Sequence, residues 1–247
     1  MKLSVCCLLS LSPVWALAQT AEAPRFVGDI GGMVTTSQSV VNGAKKTTSA
    51  LPYLYGDMGN FFARVDTLGF KAMPLASGHL ELALRVGTEG FKAAKTAHPA
   101  ADDRSTPMPI GIGTFQRTAM GGLFAYAMYE PQSAGQFGEV NWAGQIEAAG
   151  GVKIYPQLGL QYRSADYVRH LYGISAAQAT ATGLSAYRPG ASFTPMLTVQ
   201  ASVPLSGPWA LQLQTRYRHL DSAIANSPLV SRSSQVSGFA ALTYTVK

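Results

Sequence analysis

The sequence predicts an all-β fold: a transmembrane antiparallel β-barrel of about ten strands, with twelve strands as the alternative. Three observations support this prediction. Apolar and polar residues alternate with a period of two, charged residues make up only 13% of the 247 residues, and short turn segments alternate with longer polar segments. This charge content is about half of what soluble domains usually carry. Because hydrophobic residues reach 47%, intrinsic disorder does not explain the shortage of charge.

The first 18 residues have the features of a signal peptide. Lys2 supplies a positive charge, residues 3–11 are apolar, and Ala16-Leu17-Ala18 forms a small-x-small cleavage site. Beyond this leader no run of about 18 uncharged apolar residues occurs, which argues against a helical membrane protein. We therefore expect residues 1–18 to be removed and residues 19–247 to form one barrel domain.

Removal of the leader changes the cysteine content and the charge of the mature chain. Both cysteines, Cys6 and Cys7, lie in the leader, so we expect neither a disulfide nor a cysteine-bound metal. The leader also contains Lys2, so 18 of the 19 Lys and Arg residues remain against 13 Asp and Glu. This mild positive charge favours polyanionic neighbours such as lipopolysaccharide or peptidoglycan and is too small to indicate nucleic-acid binding. As a membrane barrel, the chain is also expected to contact outer-membrane lipid.

The alternation continues along the chain in segments 79–86, 140–147, 152–162, 193–203 and 208–220. In the last segment, Trp209 and Tyr217 lie eight residues apart on the apolar face, about 20 Å along the membrane normal at a typical strand tilt. That distance is close to the spacing of the two aromatic girdles of an outer-membrane barrel. Trp142 and Tyr162 are expected to belong to the same girdles.

The polar faces of these segments distinguish a barrel from a soluble β-sandwich. A sandwich exposes a charged outer face, whereas the polar faces here are rich in Gln, Ser, Thr and small residues, as suits a barrel interior. The few charges on these faces are expected to point into the lumen: Glu81, Arg85, Glu147, Lys153, Arg216 and Arg218. They would either pair and block the lumen or line a small selective pore.

The connections between segments give the strand number. Short breaker clusters at 73–78, 119–122, 148–151 and 204–207 alternate with longer polar stretches at 37–49, 89–109, 130–138, 164–188 and 221–233. Short periplasmic turns and long extracellular loops alternate in this way in outer-membrane barrels. Nine connections give ten strands with both termini in the periplasm. If residues 56–60 form a turn, one strand is added there and another near 166–174, which gives twelve.

An irregular loop motif resembles that of a known family. Asp166-Tyr167, residues 171–179, Gly183-Leu184, residues 187–191 and, further on, residues 226–230 are similar to the signature of the MipA/OmpV family of outer-membrane proteins, also called MltA-interacting proteins. The loop residues that carry the resemblance are Tyr172, Gly173, Gln178, Gly183, Tyr187 and Gly190.

The resemblance implies a location in the outer membrane and a non-enzymatic role as scaffold or adaptor for cell-envelope proteins. In the family's namesake this role joins a lytic transglycosylase to a penicillin-binding protein. Other members are surface proteins or adhesins, so a narrow solute channel or an adhesin remains the alternative function. An outer-membrane hydrolase is the third hypothesis.

Within this loop, Ser175 is placed as the N-cap of a helical turn over residues 175–180. That turn would serve either as a lid over the barrel mouth or as a ligand surface.

Two groups of residues invite a catalytic interpretation that the spacing does not favour. Asp102 and Asp103 could act with His170 or His98, as acidic loop residues do in outer-membrane proteases. His219, Asp221 and Ser222 contain the residue types of a lipase but lie too close together in sequence to converge. The four histidines show no ligand spacing. We therefore expect no catalytic residue, metal or cofactor.

Overall fold

The computed structural model describes residues 24–247, which form a closed antiparallel β-barrel. The expected signal peptide, residues 1–18, lies outside the described residues. No helix in the described part of the chain is long and apolar enough to cross a membrane.

Thirteen strand segments occur within residues 24–247. They are β1 (Phe26–Ser37), β2 (Thr47–Met58), β3 (Phe61–Arg64), β4 (Thr67–Leu75), β5 (Gly78–Arg85), β6 (Ile110–Thr118), β7 (Gly121–Glu130), β8 (Gly135–Ala143), β9 (Ile146–Glu147), β10 (Lys153–Arg163), β11 (Ser192–Pro204), β12 (Trp209–His219) and β13 (Ser234–Val246). The two-residue β9 continues β8 and pairs with the same neighbour, β10. The wall therefore has twelve strands.

The barrel closes because the first and last strands pair. Residues 28–37 of β1 are in register with residues 237–246 of β13, and every other strand pairs antiparallel with its sequence neighbours. Full closure leaves few backbone groups unpaired, as a strand structure in a membrane requires.

The twelve-strand alternative is confirmed, and the preferred count of ten is wrong. Both additional strands come from residues 47–75, where the sequence predicted one strand and the structure has β2, β3 and β4. Gly59 adopts a φ of +61° in the turn between β2 and β3, a conformation that glycine accepts without strain. The extra strand suggested near 166–174 does not exist, because this segment is helical.

Three helices lie in the long connections: α1 (Ala165–Tyr172), α2 (Ala176–Thr182) and α3 (Ser222–Ala225). Ser164 caps α1 by accepting a hydrogen bond from the Tyr167 N–H, and Val168, Leu171 and Tyr172 form a buried face at helical spacing. This helical spacing is why residues 166–174 do not form a strand. The predicted N-cap is confirmed: Ser175 begins α2 in a capping box with Gln178.

The connections alternate in length between the two ends of the barrel. Those at 59–60, 76–77, 119–120, 148–152 and 205–208 are short, and those at 38–46, 86–109, 164–191 and 220–233, at the opposite end, are longer. The connection at 131–134, also at that end, is the exception: the longer stretch predicted at 130–138 is wrong, because β8 begins at Gly135. By the rule for outer-membrane barrels, the first set faces the periplasm and the second set faces outward. The remaining connection, at 65–66, lies within the wall because β3 has only four residues.

Alternate residues face lipid and lumen, as the period-two pattern predicts. On β11, for example, Phe193, Leu197 and Val199 are exposed on the outside, whereas Thr194 and Thr198 between them are buried. The apolar outer face therefore accounts for the low charge content of the chain.

Candidate functional site: the lumen and its extracellular cap

An apolar cap fills the extracellular end of the barrel. Val168 and Leu171 of α1 and Ile224 of α3 are fully buried, and Val40 and Val41 of the first long loop belong to the same cluster. On the lumen side the cluster continues into side chains of the wall, including Tyr126, Met128 and Phe137. The long loops thus pack into the barrel mouth.

The residues of the family-like motif hold this cap in shape. The Tyr172 carbonyl accepts a hydrogen bond from the Ser227 hydroxyl at 2.7 Å, and the Gly173 carbonyl accepts one from Arg104 at 3.0 Å. Tyr187 donates from its hydroxyl to the Ala223 carbonyl at 3.1 Å. These bonds join the loop that carries α1 and α2 to two other extracellular loops.

The other motif residues shape α2 and its surroundings. The Gln178 side chain completes the capping box and also contacts Arg104 and Asp102. Gly183 ends α2 with a φ of +71°, whereas Gly190 is an exposed residue before β11. Because α2 buries none of its residues, the lid over the barrel mouth is α1 rather than α2.

A buried ion cluster lies beneath the cap. Glu89, from the loop at 86–109, accepts hydrogen bonds from Arg163 of β10 and, at 2.6 Å, from Arg218 of β12. All three side chains are at most 8% exposed. Burial opposes ionisation of Glu89, but the two guanidinium groups outweigh it and lower the pKa of Glu89. The carboxylate therefore ties a loop to two strands of the wall.

Two more carboxylates in the lumen are held by several donors. Glu139 is bound by Arg85 at 2.8 Å and by Gln161 at 2.7 Å. Glu81 is contacted by Arg64 at 2.8 Å, by His79 at 2.8 Å and by the Tyr126 hydroxyl at 2.7 Å. The inward charges thus form a network of ion pairs across the barrel interior.

Three of the six predicted lumen charges belong to this network. Glu81, Arg85 and Arg218 belong to ion pairs. Arg216 contacts the Thr198 hydroxyl at 3.4 Å, and no carboxylate among residues 24–247 forms an ion pair with it. Glu147 and Lys153 face each other across the β9–β10 ladder and are exposed at the periplasmic end.

Sequence reasoning missed four charges of the network: Arg64, Glu89, Glu139 and Arg163. Glu139 and Arg163 directly adjoin the segments 140–147 and 152–162, so extending each alternation by one residue would have found them. Arg64 lies in a strand too short to show a period, and Glu89 lies in a loop.

The predicted girdle residues point outward. Trp209 packs edge-on against Tyr244 of the neighbouring strand with ring centroids 5.3 Å apart, and Tyr162 packs against Phe193 at 5.2 Å. Tyr217 lies near the extracellular end of β12, eight residues from Trp209. Trp142 lies opposite Leu158 on the outer face of β8. These positions place aromatic rings near both ends of the wall.

Below the ion cluster the lumen contains a cavity of about 730 Å³. Its walls are rich in amide and phenol groups, among them Tyr53, Tyr155, Gln157, Gln200 and Gln214. The lining extends from Arg218 near the cap to Gln145 near the periplasmic ends of the strands. The cavity volume falls within the range of about 300–1,000 Å³ that is usual for small-molecule sites.

The acidic loop residues are held in structural contacts. Asp103 accepts hydrogen bonds from Lys92 at 3.0 Å and from the Ala93 N–H at 2.8 Å, and these contacts lower the pKa of Asp103. Asp102 contacts Gln178 and lies 3.8 Å from Arg104. Both carboxylates thus contact donors in their own loop or in the neighbouring loop.

The histidines named with those acids lie elsewhere in the loops. His170 shares an extracellular cleft of about 610 Å³ with Asp102, but its ring nitrogen lies 3.5 Å from the Ser105 hydroxyl, and burial lowers the pKa of His170. The His98 backbone N–H donates to the Thr96 hydroxyl at 3.0 Å, and its ring Nε2 has no hydrogen-bond partner among residues 24–247. The contacts give neither acid a histidine partner.

The lipase-like residues are also separated by the fold. Asp221 accepts hydrogen bonds from the Ala223 N–H at 2.8 Å and from the Phe193 N–H at 3.1 Å, so it caps α3. His219 is at the end of β12 on the same outward face as Tyr217. The carboxylate therefore supports the backbone and does not orient the histidine.

Comparison with known proteins identifies one matching family and several relatives of similar sequence. The family model described as MltA-interacting protein MipA matches residues 30–246. The putative outer membrane protein YiaT of Escherichia coli O157:H7 is 24% identical over 225 residues, covering 89% of this chain and 91% of that protein. The MltA-interacting protein of Escherichia coli K12 is 28% identical over 134 residues, which is 53% of this chain and 54% of the relative.

Among solved structures, an anion-selective porin from Comamonas acidovorans is similar over 91% of this chain and 99% of the porin. The sequence identity is 7% and the TM-score is 0.33, a similarity too low to support a functional comparison.

Proposed function

Because this chain belongs to the MltA-interacting protein (MipA) family and is an outer-membrane protein, we propose that it is a plugged barrel that anchors a peptidoglycan enzyme at the inner surface of the outer membrane. The partner that the relative's name suggests is a lytic transglycosylase. A penicillin-binding protein would join the same complex as the second enzyme of an adaptor.

The observation that carries the proposal is the closure of the extracellular end. The side chains of Val168, Leu171 and Ile224 are fully buried in the cap, and the ion cluster of Glu89, Arg163 and Arg218 lies directly behind it. A barrel closed in this way does not serve as a through channel, so its useful surface is the rim that faces the periplasm.

The periplasmic turns offer apolar side chains for a protein contact. Met120, in the turn between β6 and β7, is 76% exposed, and Leu205, in the turn between β11 and β12, is also exposed. At this rim they supply apolar side chains that a protein partner can bury. We therefore place the partner contact at these turns.

Site-specific photo-cross-linking in native membranes tests the proposal. A photoreactive amino acid at Met120 is expected to give an adduct containing a lytic transglycosylase, identified by mass spectrometry. The same amino acid at Ser185, in an extracellular loop, is the matched control and is expected to give no such adduct. If no peptidoglycan enzyme is recovered from Met120 or Leu205, the anchor function is wrong.

The adaptor part of the proposal has its own readout. If the barrel joins two enzymes, capture of the transglycosylase should recover the penicillin-binding protein from cells that contain this chain and not from cells that lack it. Equal recovery from both strains would contradict the adaptor role while leaving the anchor role intact.

A further inference from the structure

The barrel wall has a window on the extracellular side of the short strand β3. Pairing between β2 and β3 ends at Tyr55 and Arg64, and the last bond between these chain segments joins the Val65 N–H to the Leu54 carbonyl at 2.9 Å. Above this point residues 47–53 face residues 86–88, and one cavity is lined from both sides by these segments. The loops close the window at the top, where the Ala97 N–H donates to the Asn42 carbonyl at 2.9 Å.

The strand that borders the window is an unpaired edge. Within residues 24–247, the backbone of residues 47–53 is hydrogen bonded to β1 and to no other segment. Backbone groups of every second residue in a strand point to the same neighbour, so Ala50 and Pro52, like Leu54, direct theirs toward the window. Pro52 has no N–H, and proline within a sheet is typical of such an edge.

An open sheet edge in a membrane requires an explanation. Bare backbone groups facing hydrocarbon cost several kcal/mol each, so lipid-exposed edges do not persist unless they line a wet or occupied cavity. The edge here leads into the 730 Å³ lumen cavity, whose lining includes Leu51 and Pro52 on one side and Val86 and Thr88 on the other. The window therefore connects the lumen with the lipid-facing surface.

The rim of the window is apolar and the interior is polar. Leu51, Pro52 and Val86 are exposed at the rim, and Val34, opposite Ala50 on β1, continues the apolar surface outward. Inside, the upper lumen has the guanidinium groups of Arg85, Arg163, Arg216 and Arg218 against the carboxylates of Asp66, Glu89 and Glu139. Of these four arginines, Arg216 is the one that forms no ion pair with a carboxylate of residues 24–247.

We propose that the window admits a single-chain amphiphile with an anionic head, such as a fatty acid, from the membrane into the lumen. The carboxylate of the ligand binds Arg216 and the neighbouring amides of Gln200 and Gln214, and the acyl chain lies across Leu51 toward lipid. This binding activity is separate from the anchor function and does not depend on it. The cap is no obstacle, because the ligand enters through the wall.

Binding of the fluorescent fatty acid cis-parinaric acid to the full barrel in phosphatidylcholine nanodiscs tests the proposal. We expect saturable binding of one molecule per barrel, displaced by palmitic acid. Inorganic phosphate should not displace it, since the apolar rim contributes to binding. Hexadecanol has the same chain without the charge and should compete weakly.

Two substitutions in the wall should weaken binding by different routes. Arg216→Gln removes the unpaired cation, and we expect about a tenfold loss of affinity for palmitic acid with little change for hexadecanol. Leu51→Glu places an anion at the rim, where the native side chain is exposed, and should weaken both ligands. Arg188→Gln, which removes an exposed arginine from an extracellular loop, is the matched control and should bind as the native chain does.

Several outcomes would overturn the proposal. Absence of saturable binding to the native barrel would do so, as would unchanged affinity of Arg216→Gln and Leu51→Glu variants whose folding is verified by the electrophoretic mobility of the unheated barrel. Displacement by phosphate alone would show an anion site that does not use the window. Protection of the window-facing amide of Ala50 from hydrogen exchange in the ligand-free native barrel would show that another strand covers the edge.

Discussion

The Glu89 carboxylate accepts a hydrogen bond of 2.6 Å from Arg218, a residue 129 positions later in the chain. Arg163 binds the same carboxylate, so one loop residue bridges two guanidinium groups of the wall. Because the cluster lies beneath the cap, it couples the loop at 86–109 to the strands β10 and β12. The stability of the closed end should therefore depend on this single carboxylate.

Glu89→Gln tests that dependence. The substitution keeps the shape of the side chain but leaves Arg163 and Arg218 buried without a counter-charge, and breaking a buried ion pair from one side costs about 3–5 kcal/mol. We expect the free energy of unfolding, measured by urea titration in lipid vesicles, to fall by an amount of this order. The control is Asp103→Asn, which removes a carboxylate of the same loop and should lower the unfolding free energy much less, because its ion pair with Lys92 is exposed to solvent. Equal effects of both variants would contradict a special role for Glu89.

The same residue predicts how stability depends on pH. The pKa of Glu89 is lowered in the folded protein, and an unfolded glutamate titrates near about 4.3. The stabilisation by its carboxylate is therefore fully present above that pH and is lost as the pH falls through the lower folded pKa. We expect the stability difference between the native chain and Glu89→Gln to be largest near neutral pH and to shrink in acid. A difference that stays constant down to pH 3 would contradict this assignment.

A strained turn offers a stabilising substitution. Ala76, in the turn between β4 and β5, has a φ of +50°, a left-handed conformation that costs an L residue with a Cβ about 1–2 kcal/mol. Ala76→Gly should remove this cost, and after the larger entropy of the unfolded chain is subtracted we expect a gain of about 0.5–1 kcal/mol in urea unfolding. Ala127→Gly, at a regular exposed position in β7, is the control and should be destabilising by about 0.5–1 kcal/mol. A loss at both positions would show that the turn is not strained.

The sequence predicted the barrel and which residues of each strand face lipid or lumen. It could do so because lipid-facing positions are apolar and the alternate, lumen-facing positions are polar. In 152–162 and 193–203 the alternation runs over many residues, so the outer face is recognisable without any tertiary information. The four residues of β3 are too few to show a period, and the segment around it was therefore interpreted as one strand.

The ion cluster was only partly predictable. Arg218 lies on a strand with a clear alternation, so its inward direction followed from the pattern. Its partner Glu89 lies in a loop that folds back into the lumen, and no local pattern indicates which loop residue meets a given strand. Pairing across 129 residues is a property of the assembled barrel.

The last prediction concerns the closed end itself. We expect the native barrel to show no single-channel current in planar bilayers, because α1 and α3 fill its mouth with buried apolar side chains. Val168→Asp places a carboxylate at a fully buried position of the cap, where an unpaired charge is strongly unfavourable, and should produce intermittent current as the cap opens. Ala176→Asp, at an exposed position in α2, is the control and should remain silent. Steady current through the native barrel would contradict the plugged state and favour a channel function.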